Sequence, residues 1–215
     1  MIKENSHQQG RTFIETIAYI MVMITVTVSF ASLVSRGYYK YECSAIQQEL
    51  TDLKKTISMR YSIDGQYANV KWDDLCEDGI GPRSLMPERI CSEDDEKVQC
   101  RCSSQRGLHT FDGPVNIGPS DCNSSNTHCN TFFIEFKELP QDICAQLASK
   151  AWDTMDGSDL DRLKVNNTTW GWPNSPITDE NGNRNQADKE FPVLVDDAIG
   201  ACIEGYENKI TWYFN

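Results

Sequence analysis

The chain has 215 residues and a formal net charge of −12 at pH 7. Such an acidic balance argues against binding of nucleic acid through a basic groove, so no specific nucleic-acid partner is predicted. Nine cysteines in a chain of this size indicate disulfides and an oxidising compartment.

The N-terminal segment joins a short polar stretch to a long apolar one. Between Phe13 and Val34 the only formal charge is Glu15. A helix of these 22 residues spans roughly the 30 Å of bilayer hydrocarbon, so we expect it to cross a membrane. An ionisable group there costs at least about 2.5 kcal/mol, which makes Glu15 a candidate functional residue in need of a partner. The simpler alternative is a signal anchor whose Glu15 reaches the headgroups.

An amphipathic pattern follows the apolar segment. Its apolar members recur at spacings of four, three and four residues: Ile46, Leu50, Leu53 and Ile57. Asp64-Gly65 is a helix stop signal, and Gly37 is the point where the helix could bend. We therefore expect one helix over residues 11–63, with residues 13–34 in the membrane and the later stripe covered by a sheet.

The cysteines define a disulfide-rich domain beyond residue 70. Eight of them lie there and allow up to four bridges in 105 possible pairings: Cys76, Cys91, Cys100, Cys102, Cys122, Cys129, Cys144 and Cys202. Cys43 is the odd one, and a buried thiol, a bridge to a neighbour and a bridge within the domain all remain open. Residues 91–105, with three cysteines and an acidic run, predict a solvated loop closed by disulfides.

Three segments predict strands of that domain. They are residues 108–117, broken by Gly113-Pro114, residues 131–137 as a central strand, and residues 209–214. A short helix is predicted over residues 142–152. The polar residues 153–190 predict a long surface excursion.

Neither a metal nor an active site is predicted. Six side chains could surround zinc, but their spacing matches no zinc module and disulfides compete for the thiols: Cys100, Cys102, His109, Cys122, His128 and Cys129. Two acidic groups could offer oxygen to calcium without the EF-hand spacing: Asp153, Asp156, Asp159 and Asp161, and residues 179–183. A Gly-x-Ser-x-Gly nucleophile motif is absent from the sequence, so no enzyme and no cofactor are expected.

The N-terminal residues resemble those of type IV prepilins. In that family a hydrophilic leader ends in Gly, cleavage follows directly, and Glu stands at the fifth mature position before an apolar helix. Here Gly10 is the last leader residue, Arg11 the first mature one and Glu15 the fifth. Two features depart from the family: Arg11 replaces the usual Phe or Met, and the leader is less basic because Glu4 offsets Lys3.

The C-terminal half carries the same resemblance, particularly to the type IVb kind. Its motifs, in the family's order, are Phe111-Asp-Gly-Pro-Val-Asn-Ile-Gly118, Leu139-Pro-Gln-Asp-Ile-Cys144, and Cys202 followed by Asn208-Lys-Ile-Thr-Trp-Tyr-Phe214. The resemblance implies an α+β type IV pilin fold, in which a long N-terminal helix packs on an antiparallel sheet. It also implies a bridge between Cys144 and Cys202 that closes a C-terminal region over residues 144–202, called the D-region.

The resemblance also implies a domain plan and a function. Residues 1–10 are a leader that prepilin peptidase removes, residues 11–63 the N-terminal helix, and residues 64–215 the globular head. Glu15 is expected to pair with the N-terminal amine of a neighbouring subunit, which is often methylated in this family. The partners are then other copies in a helical homopolymer, other pilins, prepilin peptidase and the inner-membrane assembly machinery. The expected location is the inner membrane before assembly, with the head outside the cytoplasm, and then an extracellular pilus that serves adhesion, motility or uptake.

Three alternatives stay open. Within the class, the chain could be a minor pilin or a type II secretion pseudopilin, although major pseudopilins generally lack the C-terminal disulfide loop. From another class, it could be a signal-anchored, disulfide-rich binding domain that never polymerises.

Overall fold

A computed structural model describes residues 6–61, 66–86, 89–94, 97–102, 107–123, 128–150, 152, 159–173, 177–178 and 184–215. The chain divides into two compact units, Met1–Glu42 and Cys43–Asn215. Each unit is described by itself below.

The described residues of the first unit all belong to helix α1. This helix spans Ser6–Tyr61, so its last part belongs to the second unit. The helix begins before the predicted start and runs through Gly37 without a break. Its side chains from Phe13 to Val34 are exposed. Within the described residues α1 is the one helix long and apolar enough to cross a membrane, and none of its most apolar window is buried.

In the second unit, the remainder of α1 supplies one wall of the core. Its buried side chains are those of the predicted stripe together with Cys43: Cys43, Ile46, Leu50, Leu53 and Ile57. They belong to one hydrophobic cluster with the apolar side chains of the sheet. The Lys54 ammonium lies 5.1 Å from the centre of the Phe214 ring. The predicted layer of sheet over the stripe is therefore present.

A seven-stranded sheet forms the other wall. In spatial order its strands are β10 (Lys189–Glu190), β7 (Thr168–Gly171), β6 (Leu160–Val165), β11 (Asn208–Phe214), β5 (Cys129–Leu139), β4 (Pro114–Cys122) and β3 (Gly107–Leu108). All neighbouring pairs in this sheet are antiparallel except β10 with β7. The expected α+β architecture, with a long helix on an antiparallel-rich sheet, is confirmed.

The alternation of apolar residues places strands β5 and β11 at the centre of this sheet. Phe132, Ile134 and Phe136 of β5 face the core, as do Ile210 and Trp212 of β11. The first predicted strand is divided at Gly113, because a turn separates β3 from β4. There His109 N donates to the Gly113 carbonyl oxygen at 3.0 Å.

Two predictions about loops were wrong. Part of the expected surface excursion over residues 153–190 is sheet, because Leu163, Val165 and Trp170 on β6 and β7 are fully buried. The expected loop at residues 91–105 contains a two-stranded sheet of β1 (Arg89–Asp94) and β2 (Lys97–Cys102). Short strands β8 (Ile177–Thr178) and β9 (Arg184–Asn185) form a further pair.

Among its described residues, the second unit also contains three short α-helices. Helix α2 (Trp72–Glu77) is tied to β4 by the Trp72 indole, whose Nε1 donates to the Val115 carbonyl oxygen at 2.8 Å. Helix α3 spans Gln141–Ala148 and ends before the predicted boundary. Helix α4 spans Val195–Ala201 and leads into Cys202, close to α3.

Candidate functional site: assembly segment and disulfide-closed region

The predicted cleavage residues and the predicted assembly residue lie in one helix. Gly10, Arg11 and Glu15 are all within α1, and the Glu15 side chain is exposed. Arg11 and Glu15 are four residues apart, a spacing that puts two positions on the same face of a helix. The Glu15 carboxylate thus lies on the exposed surface of the apolar segment.

Three hydroxyl side chains of the apolar segment are satisfied within the helix. The hydroxyls of Thr25, Thr27 and Ser29 donate to backbone carbonyl oxygens four residues earlier, each at 2.8 Å. An unsatisfied polar group in hydrocarbon costs several kcal/mol, and these hydrogen bonds remove that cost. The segment therefore suits an apolar surrounding, whether acyl chains or other helices.

A disulfide closes the C-terminal region between two helices. It joins Cys144 on α3 to Cys202 at the end of α4, across a sequence separation of 58 residues. This is the pair that the resemblance to type IV pilins implies. The Gln141 side chain supports the link, because its Nε2 donates to the Cys202 carbonyl oxygen at 3.2 Å.

A buried asparagine fastens the same region to the sheet. Asn208 is fully buried and its Nδ2 donates to the carbonyl oxygens of Leu139 and Ile203, at 3.1 and 2.9 Å. Its Oδ1 accepts from Ile203 N at 2.7 Å and from Asn166 Nδ2 at 3.0 Å. Asn166 in turn donates to the Ala201 carbonyl oxygen at 2.8 Å. Two amide side chains thus hold the turn after α4 against strands β5, β6 and β11.

The structure also shows the pairing of the other cysteines, which the sequence left open. All nine lie in the described part of the chain, and the further pairs are Cys76–Cys102, Cys91–Cys100 and Cys122–Cys129. Cys43 is a buried free thiol, to which Gln47 Nε2 donates at 3.4 Å. Burial raises the pKa of the Cys43 thiol. In the described residues no group of three or more candidate metal-ligating side chains occurs.

Several of the residues considered for metals are engaged otherwise. Cys100, Cys102, Cys122 and Cys129 are all in disulfides. Asp159 forms an ion pair with Lys54 at 3.9 Å, and Asp161 forms one with Arg162 at 3.8 Å. The remaining calcium candidates, Asp153, Asp156 and residues 179–183, lie outside the described residues.

His109, one of the side chains weighed for zinc, makes structural contacts within the head. Its Nδ1 accepts from Phe111 N at 3.1 Å, so the proton is on Nε2, which donates to the Lys137 carbonyl oxygen at 2.6 Å. The ring also stacks on Phe136 at 5.5 Å. Burial lowers the pKa of His109, so the neutral ring is the folded form. The next residue, Thr110, donates to Glu49 Oε1 at 3.2 Å and ties this turn to α1.

The face of the sheet away from α1 carries two charged clusters that sequence reasoning did not identify. In the first, Glu135 accepts from Asn116 Nδ2 at 2.9 Å and pairs with Lys137 and Lys209 at 3.0 and 3.5 Å. In the second, the Arg162 guanidinium lies 4.1 Å from the centre of the Tyr213 ring and 3.2 Å from Asp121 Oδ1. These clusters bind strands β4, β5, β6 and β11 to one another.

A family model described as PilS N terminal matches residues 40–215. Among solved structures, a type IVb pilin from Salmonella typhi is similar at 18% sequence identity and a TM-score of 0.46, over 82% of this chain and 99% of that one. A search of curated proteins gave no match.

A long N-terminal helix, an antiparallel-rich sheet and a disulfide-closed C-terminal region are the features that the resemblance to type IV pilins implies. The family model covers well over half of the chain, so the chain belongs to the PilS N-terminal family. It is accordingly a pilin subunit. The matched range begins at Lys40, after the apolar segment that carries the predicted cleavage and assembly residues.

Proposed function

We propose that this chain is the structural subunit of a type IV pilus, cut between Gly10 and Arg11 by prepilin peptidase and then polymerised into a surface filament. The observation that carries the proposal is the exposed apolar half of α1, which displays one carboxylate, Glu15, near its start. An apolar helix of this kind is stable only in a bilayer or against other apolar helices. It therefore serves as a membrane anchor before assembly and as the filament core afterwards.

Glu15 sets the register between neighbouring helices in this scheme. Cleavage after Gly10 leaves an α-amino group on Arg11, and a carboxylate of one subunit attracts that cation on the next. Opposite charges attract strongly in a low-dielectric medium, while each charge alone is costly there. The apolar surfaces supply adhesion along the whole helix, and the charge pair selects one alignment among many. The Arg11 side chain adds a second cation that the filament core has to accommodate.

A filament requires contact between different surfaces on successive subunits, because such heterologous contacts propagate without closing. The disulfide between Cys144 and Cys202 joins helix α3 to the end of α4, and this covalent link supports a role of the C-terminal region in repeated subunit contacts. The same bridge favours a pilin over a major pseudopilin. A minor pilin would have the same processing but a low abundance in the filament.

The test is an assembly assay with Glu15→Ala in the native cell. We expect Glu15→Ala to reduce the filament sheared from the surface at least about tenfold while the subunit stays in the membrane, since the register-setting pair is lost. Glu190→Ala is the matched control, because Glu190 is an exposed carboxylate of the head. Wild-type filament yield from Glu15→Ala would contradict the register-setting role of Glu15. Absence of the wild-type chain from the sheared filament would contradict the proposal and favour a membrane-anchored binding domain.

A further inference from the structure

Three tyrosines follow the apolar segment of α1 directly. Tyr38, Tyr39 and Tyr41 are 61%, 37% and 72% exposed, and Lys40 stands among them. Gly37 precedes them and Glu42, the next residue, is buried. Three large exposed aromatic side chains in four residues are unusual on a helix surface and indicate an interaction site.

The tyrosines lie at one defined height above the apolar segment. At 1.5 Å per residue, Tyr38 is about 6 Å and Tyr41 about 10 Å beyond Val34 along the helix axis. A polar headgroup layer extends about 5 to 7 Å beyond the hydrocarbon on each side of a bilayer. When residues 13–34 fill the hydrocarbon, Tyr38 and Tyr39 are thus at about the level of the headgroups. The Tyr41 Cα lies a few ångströms beyond that layer, and its side chain leans back toward it because helix side chains tilt toward the N-terminus.

The three side chains also spread around nearly half of the helix. Successive residues are about 100° apart around the axis, so Tyr38, Tyr39 and Tyr41 cover an arc of about 160°. Tyrosine suits the boundary between acyl chains and headgroups, because its ring is apolar and its hydroxyl is polar. The ammonium of Lys40 can extend toward lipid phosphates from the same level. The Tyr38 hydroxyl bonds to the Glu42 carboxylate, which raises the pKa of Tyr38 and keeps the phenol neutral.

We propose that Tyr38, Tyr39 and Tyr41 form an aromatic collar that binds the phospholipid headgroup layer and fixes the depth of the subunit in the bilayer before assembly. The inference rests on the proposed membrane stage. Its support is the continuity of the collar with the exposed apolar segment and the match between its height and the headgroup layer. A fixed depth holds Glu15 at a constant level in the membrane, where the next subunit meets it.

The test measures the depth of a probe beside the collar. The full chain carries Gly37→Cys, a position at which an added side chain meets no atom within 4 Å. Labelling with nitrobenzoxadiazole is directed to this exposed thiol, because Cys43 is buried and the pKa of its thiol is raised. The protein is reconstituted into vesicles of phosphatidylethanolamine and phosphatidylglycerol that contain nitroxides on either headgroups or mid-chain carbons.

With the native collar, we expect headgroup nitroxides to quench the probe at least about threefold more than mid-chain nitroxides. Replacing all three tyrosines by alanine should lower this ratio at least about twofold, and replacing all three by tryptophan should restore it, since tryptophan also prefers the interface. Tyr206→Ala is the control, because Tyr206 is a head residue of similar exposure, 63%.

Three results would overturn the inference. The first is an unchanged quenching ratio in the alanine variant with filament yield also unchanged. The second is an unchanged ratio with filaments lost, which would assign the tyrosines to contacts between copies. The third is release of the chain from vesicles by alkaline carbonate, which would remove the membrane stage itself and the collar with it. Retention in the vesicles with an unchanged ratio refutes the collar alone.

Discussion

At the scale of single residues, Asn208 illustrates how a buried polar group specifies a local structure. Burying an amide without partners costs about 1 to 3 kcal/mol in proteins, so a buried Asn persists only where hydrogen bonds replace water. Asn208 makes four such bonds, which are directed to β5, to the turn after α4 and to Asn166. The sequence marked this residue only as part of the Asn-x-Ile-Thr-Trp motif. Its partners are separated from it by up to 69 residues, so no local pattern could reveal them.

Glu135 gives a pH prediction. Burial alone would raise the pKa of Glu135, but the hydrogen bond from Asn116 and the charges of Lys137 and Lys209 outweigh burial and lower it. The folded pKa therefore lies below the unfolded value of about 4.3. The stabilisation is complete above that pH and is lost as the pH falls through the folded pKa.

We expect Glu135→Gln to lower the free energy of unfolding by about 1 to 3 kcal/mol at pH 7. The difference from the wild type should shrink as the pH falls below about 4, because the wild-type carboxylate is then protonated. The measurement is denaturant unfolding of the full chain in detergent at both pH values, with exposed Glu190→Gln as the control. A difference that stays constant over this range would contradict the assignment.

At the scale of elements, the helices and strands with a regular spacing of apolar residues were the ones predicted correctly from the sequence. The stripe of α1 and the alternation of β5 and β11 are undisturbed, and the structure contains all three elements. Strand β6 was missed because Arg162 and Leu163 are adjacent and both buried, which breaks the alternation. The Arg162 guanidinium is held by Tyr213 and Asp121 on the far face of the sheet. A register shift between Tyr213 and Phe214 accompanies this break.

The disulfide pairings also differ in how far the sequence could predict them. The pair Cys144–Cys202 was implied by resemblance, whereas the other cysteines gave no signal that selects among the possible pairings. Two of the other pairs are direct cross-strand neighbours, because Cys91 faces Cys100 and Cys122 faces Cys129 in the strand registers. Strand register depends on the whole hairpin, and the β1–β2 hairpin was predicted as a loop. These cysteine pairs could therefore be predicted only once the strands and their register were known.

The long-range disulfide should contribute most to stability. Replacing both Cys144 and Cys202 by serine should lower the free energy of unfolding by about 4 kcal/mol in the chain-entropy model. The matched control replaces Cys91 and Cys100, which are separated by nine residues and should contribute about 3 kcal/mol. Denaturant unfolding of the full chain in detergent checks both values. An equal or larger loss from the Cys91 and Cys100 pair would contradict the loop argument.

At the scale of the whole molecule, one helix is exposed in its first part and buried in its last part. The first unit exposes an apolar helix with a single carboxylate near its start, and the second buries the continuation of that helix under a sheet. Membership of the PilS N-terminal family identifies the second unit as part of a pilin. The proposed assembly joins the two, since apolar helices bundle into a core while the heads form the filament surface.

The central claim is that the chain is processed as a prepilin. Intact-mass and N-terminal analysis of the protein isolated from its native membranes or cell surface tests this claim most directly. We predict a mature chain that starts at Arg11, with or without an added methyl group. A chain that still begins at Met1, in cells whose prepilin peptidase is active, would contradict the account.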